Sequence, residues 1–420
     1  MADAHSTAQQ RRRIAINALG RELSGEPTSA SGRLAAMLDQ NRPMIVSADI
    51  DGLVSAAMLG SVAKKFEIVA FSVSSSEWLV HPSHLSGLPD NAFGVDVFSV
   101  LFDNVSNHVI QWGTKKFQNA PVLQALQAWD AAVDAAGTQK LLAVPSIWAG
   151  IQGGYEDHSP TSSKYKYPFG TAQILLAMLE VVGKAPRFFD RTYLPWLVAN
   201  CDGGISTYSK YANNARVWWP VMAGAVGPGS LTEQIFRMVD TMRPHDFLDA
   251  VHRLDRERQA QKPIVAPWLN DNWNLVPGLK INPADAIERA LTWLTELTGW
   301  RDPVMGGIAS LSTWARLPLL GSGQIYFAGK AASSSPTIAV AKHQQDAAVA
   351  LIQGAQGAGN ANFFMGGPGE GSRFNWAGLW DSAHQPAAAT PGPAAVVTVP
   401  AAQEDASPAV SEAPQRQPLF

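Results

Sequence analysis

The segment MIVSADIDGLVSAAM, residues 44–58, sets two carboxylates two positions apart. Met44, Ile45 and Val46 form an apolar run that predicts a short buried strand. Leu53, Ala56, Ala57 and Leu59 then begin a helical pattern. Asp49 and Asp51 therefore fall at the carboxyl end of a strand, where parallel α/β sheets place their ligands. In an extended segment residues two apart point the same way, so both would face one point. Like charges that close resist ionisation unless a cation lies between them. Oxygen ligands of this kind suit Mn²⁺ or Mg²⁺. Gly52 allows the tight turn into the helix. The plainer alternative is a βα loop in which an aspartate caps the helix and no ion takes part.

Further carboxylates follow other strand candidates. Residues 91–98 read as a strand with Asp96 near its end, and Asp103 and His108 lie just beyond it. Asp202 follows the apolar stretch 193–198. In a parallel sheet such ends share one edge. Asp49, Asp51, Asp96, Asp103 and Asp202, with His108 adding a nitrogen, have the composition of a two-metal phosphoesterase site. Two such ions activate a water and stabilise the leaving oxygen of a phosphoryl displacement.

The elements that must position these groups alternate. Residues 67–73 are rich in β-branched side chains and predict a second strand. Residues 122–136 and 169–180 predict helices, and 141–147 another strand. This alternation predicts an α/β fold with a doubly wound, mainly parallel sheet, a second, smaller α/β domain and a disordered C-terminal tail. We place a polar helical segment at 1–40, the catalytic domain at 41–225, a helical connector at 226–300, a smaller Gly-rich domain at 301–384 and the tail at 385–420. The connector carries helical patterns at 232–258 and 286–297. The tail is Pro, Ala, Val, Glu and Ser without period and cannot bury a core. It offers a site for a protein partner.

Composition sets further bounds. The 420 residues carry a net charge of -3, so no global basic field advertises duplex binding. One cysteine, Cys201, rules out an internal disulfide framework and fits a reducing cytoplasm. No apolar window reaches membrane-spanning length, so a soluble cytoplasmic protein without membrane contact is expected. Most of the 14 tryptophans are expected in core or interface, Trp218 and Trp219 in the core, with a few left to stack on bases.

The pattern of motifs resembles the DHH family of phosphoesterases, in particular its RecJ-like single-strand exonucleases. Residues 47–59 are similar to the family's Asp-x-Asp-Gly turn and small-residue helix. Val95 and Asp96 resemble its second motif, and residues 198–216, with Asp202, its fourth. The chain has no Asp-His-His triplet; Asp103 with His108, or Asp157 with His158, stands for it. Residues 364–378 are similar to the family's glycine-rich substrate loop. There Gly366, Gly367 and Gly369 would offer backbone N–H groups to a phosphate and Arg373 would pair with it. The resemblance implies a Mn²⁺- or Mg²⁺-dependent phosphodiesterase acting on single-stranded nucleic acid or a short oligonucleotide. The departures from the pattern fit a second reading, a nucleic-acid-binding or assembly component that has lost catalysis.

Overall fold

The computed structural model describes residues 17–73, 77–108, 116–117, 120–143, 169–186, 197–199, 201–202, 212–241, 245–246, 249, 282–326, 337–338, 345–357, 362–365 and 373–383. Asp157, His158, Gly366, Gly367, Gly369 and the expected tail lie outside them. The chain divides after Gln385 into two units, and the sheet and its helices belong to the first.

The apolar run at the start of the key segment forms β1, Asn41–Ser47. Met44 and Val46 pack into one hydrophobic cluster and Ile45 into another, so the strand is buried on both faces. That is why it reads as a continuous apolar run and not as an alternation. Helix α2, Ile50–Val62, carries the chain over to β2, Lys65–Val73, which pairs parallel to β1. On the other side of β1 lie β4, Phe93–Val95, then β5, Asp103–Val105, then β7, Leu141–Ala143, all parallel.

Beyond β2 come β3, Glu77–Val80, and β8, Ala315–Pro318, each antiparallel to its neighbour. The seven-stranded order is β7-β5-β4-β1-β2-β3-β8, and only β3 runs against the rest. The chain thus builds outward from β1 in two directions. The rim between the carboxyl ends of β1 and β4 is the switch point where such sheets open a crevice.

One face of the sheet carries the larger core. It includes residues of α1, Ala30–Met37, α4, Thr171–Val181, α5, Ala212–Val226, α6, Leu231–Thr241, and α7, Pro283–Thr298. Helix α4 is buried at every position from Thr171 to Leu179, as its nearly uninterrupted apolar sequence requires. Trp218 and Trp219 of α5 are in this core, as expected. The opposite face holds a smaller cluster around Trp78 and Trp380, whose rings meet edge-on at 5.4 Å.

Helix α3, Ala120–Lys140, packs near β7 and against α8, Gln345–Gly357. Of the segment 301–384, β8 lies in the main sheet and Val304 bridges to Ile68. Strands β9, Ser322–Tyr326, β11, Asn362–Met365, and β12, Arg373–Ala377, form a separate antiparallel sheet with β12 in its centre. The short strands β6, Lys116–Phe117, and β10, Thr337–Ile338, pair parallel. Among the described residues no helix is long and apolar enough to cross a membrane.

Expected and observed elements differ mainly at their ends. The strand expected over 91–98 spans only Phe93–Val95, because Asp96 turns into the left-handed region at φ 54°. Helix α7 starts earlier than its apolar pattern, at Pro283, with Asn282 as its cap, and stops at Gly299 with φ 69°. Those are the residue types that open and close helices.

Gly52 sits where α2 leaves β1, and a Cβ there would run into the Ser47 carbonyl. Gly52→Ala is expected to cost about 3 kcal/mol. Gly224→Ala, in the exposed interior of α5 with nothing near its missing Cβ, is expected to gain about 0.5–1 kcal/mol. Denaturant midpoints of the two variants check both values.

Candidate active site

The site is built around the first turn of two helices. Asp49 is the N-cap of α2, with extended backbone (φ -112°, ψ 176°). Its carboxylate accepts from the Gly52 amide at 2.9 Å and from Ser47 Oγ at 2.8 Å. The capping alternative is therefore realised at Asp49. Asp51 lies one step inside the helix and is 1% exposed. The helix already begins at Ile50, so the extended geometry expected for 49–51 does not hold. Asp49 and Asp51 turn to different partners.

Asp51 reaches across to α4. Its Oδ2 accepts from the Thr171 amide at 2.9 Å and its Oδ1 from the Ala172 amide at 2.7 Å. These are two of the N–H groups that the first turn of a helix leaves without intrahelical partners. Asp51 thus fills a capping role that Gly170, lacking a side chain, does not. Gly170 is forced at that position, because a Cβ would collide with the Asp202 carbonyl.

Asp96 follows β4 and is 3% exposed. Its left-handed backbone is tolerated by aspartate better than by most residues. Its amide donates to the Val105 carbonyl at 2.8 Å. Its Oδ1 accepts from the Thr171 hydroxyl at 2.6 Å and lies 3.9 Å from His108 Nε2. His108 follows the end of β5 and Asp202 the short helical stretch 197–199. Gln173 of α4 holds that stretch by donating to the Val198 and Cys201 carbonyls. The structure therefore brings Asp49, Asp51, Asp96, His108 and Asp202 to one rim.

Electrostatics on this rim is severe. Burial, followed by the negative charges of Asp202 and Asp49, holds the Asp51 carboxyl well above its ordinary value of 3.8. The amides of Ala172 and Thr171 pull the other way. Burial, followed by Asp49 and Asp51, raises Asp96 likewise, against the Thr171 hydroxyl. Burial, with the same carboxylates, pushes the Cys201 thiol up, so it is no nucleophile. Among the described residues no Lys or Arg pairs with Asp51 or Asp96.

Asp103 does not belong here. It opens β5 opposite Phe93, at the amino end of the strand, and binds Arg42 at 2.7 Å. The sequence places it at the close of a strand. Instead the strand begins at it, and a strand's length separates it from the carboxyl rim. Its sequence neighbour His108 is on the rim because β5 lies between them.

The chemistry of the donors fits Mn²⁺ or Mg²⁺: hard carboxylate oxygens with one imidazole. As placed, however, no three His, Cys, Asp or Glu side chains among the described residues converge closely enough to hold an ion. The backbone of Arg373 lies in β12. Sequence reasoning missed Thr171 and Gln173. The start of the helix predicted over 169–180 was the available signal for both, since its first turn had to meet some acceptor. No family model, curated protein or solved structure matches the chain.

Asp103→Asn should lower stability by about 1–2 kcal/mol through its half-buried pair with Arg42 and leave Mn²⁺ uptake unchanged, read by denaturation and metal titration. For Asp51 and Asp96 the folded pKa lies above the unfolded one. Their contribution is fully present below the unfolded value and is lost as pH rises through the folded one. With chelator present, the melting temperature should therefore fall as pH rises above the unfolded carboxylate value of about 4. Asp96→Asn should flatten that fall, and a slope equal to wild type would refute the assignment.

Proposed function

We propose that the protein is a metal-dependent phosphoesterase that hydrolyses phosphodiester bonds of single-stranded nucleic acid or short oligonucleotides. One observation carries this reading. Asp51 and Asp96, from segments far apart in the chain, are both buried, with Asp49 and Asp202 close enough to raise both, and no Lys or Arg among the described residues neutralises Asp51 or Asp96. Burying uncompensated like charges is costly, and a divalent cation is the counter-charge that suits carboxylate oxygens. The resemblance of residues 47–59, 95–96 and 198–216 to the DHH family supports the same choice.

Asp51, Asp96, Asp49, Asp202 and His108 would hold the ion. A divalent ion bound there lowers the pKa of a water and neutralises charge on phosphoryl oxygens. Asp51 and Asp96 are already oriented by α4, so Asp49 or Asp202 must move inward to complete the ligand set. Asp49 can do so at the expense of its bonds to Gly52 and Ser47. The glycine-rich segment with Gly366, Gly367, Gly369 and Arg373 would grip the nucleotide phosphate.

A second reading has its own observation. Both oxygens of Asp51 already serve α4, and no three ligands among the described residues converge. That arrangement also suits a relative that binds nucleic acid without cutting it.

Purified protein is expected to cleave labelled single-stranded DNA, RNA or dinucleotides with Mn²⁺ and to stop with chelator. Asp51→Asn and Asp96→Asn should each lower the rate by more than about a hundredfold, since even changes to a metal ligand's outer partners cost about 10–100-fold. Binding of a single strand without Mn²⁺ uptake or cleavage would select the second reading.

A further inference from the structure

We propose that Thr171 is a positioning residue for the ion site, an assignment that rests on the phosphoesterase reading above. The first residue of α4 makes three bonds to three separate segments. Its amide donates to Asp51, 120 positions away. Its hydroxyl donates to Asp96, 75 positions away. The Asn107 amide donates to the same hydroxyl oxygen at 3.0 Å.

The direction of this chain of bonds is fixed. A backbone N–H can only donate, so Thr171 Oγ1 must accept from Asn107. The hydroxyl proton is then left for Asp96 Oδ1, and it sits at the short 2.6 Å typical of a bond to a carboxylate. Holding Oδ1 in this way fixes the rotation of the Asp96 carboxylate, and with it the placement of Oδ2. Thr171 is itself fully buried, so its rotamer is set by packing. The hydroxyl is what the position requires, since it is both donor and acceptor, and the β-branch of threonine adds a restricted χ1. The helix end therefore serves Asp51 through its backbone and Asp96 through its side chain, and both ligands keep their relative placement as long as α4 stays docked.

Thr171→Val keeps the branched shape and the amide bond to Asp51 but removes the hydroxyl. Its Mn²⁺ dissociation constant, read by electron paramagnetic resonance of free Mn²⁺, is expected to rise about tenfold. Thr171→Ser should return it to within about twofold of wild type. Thr232→Val is the control. That hydroxyl makes the same kind of bond, at 2.6 Å to Glu180, at the far end of α4, about 13 Å along the helix. It should lower stability and leave Mn²⁺ affinity unchanged.

Equal affinities for wild type and Thr171→Val overturn the positioning role and leave the ion reading intact. A wild type that takes up no Mn²⁺ overturns the ion reading, and the positioning role with it. Should Thr171→Val fail to fold by circular dichroism, Thr171→Cys decides, because a thiol is a weak donor. Weaker Mn²⁺ binding in the Cys variant than in the Ser variant supports the role, and equal binding overturns it.

Discussion

Two buried carboxylates meet the first turn of a buried helix, and the site depends on that meeting. Asp51 and Asp96 sit at 1% and 3% exposure beside further negative charge, which no hydrophobic gain nearby explains. What tolerates them is a set of donors with fixed direction: two amides of α4, one hydroxyl, and the amide behind that hydroxyl. Donors of this kind stabilise the charged form without supplying a counter-charge. Among the described residues no Lys or Arg pairs with Asp51 or Asp96, and a divalent cation would supply a counter-charge to both.

Close packing makes the arrangement stiff. Gly52 and Gly170 each stand where a side chain would strike a carbonyl, at the points where α2 and α4 begin. Gln173 ties α4 to the carbonyls of Val198 and Cys201, and so fixes the turn that presents Asp202. At the other end of α4, Glu180 caps α6 through Leu231 and Thr232. The helix is buried from Thr171 to Leu179, so packing along its whole length holds its first turn in place. The site inherits its geometry from a helix that is itself part of the core.

Strand direction decides which acidic residues take part. Asp96 and His108 follow β4 and β5, whereas Asp103 opens β5 and is neutralised by Arg42 at the amino edge. A few residues along the chain are enough to move a carboxylate from one edge of the sheet to the other. Composition near a strand therefore says little about function until the strand's ends are known.

The sequence by itself determined the elements whose signals are local. The apolar run at 44–46 marked β1, Gly52 marked the turn, the pattern at 286–297 marked the body of α7 but not its ends, and the alternation of patterns marked a mainly parallel α/β sheet. It also marked Asp49, Asp51, Asp96, His108 and Asp202 as candidates, because acidic residues after apolar runs stand out in one dimension. Tertiary structure alone decided which groups meet. That Asp51 caps α4 rather than its own helix, that Thr171 joins Asp96 to Asn107, and that β8 completes the main sheet all depend on contacts between distant segments. A hydrogen-bond acceptor is satisfied by whatever donor packing brings near, and packing is a property of the folded chain, not of any window along it.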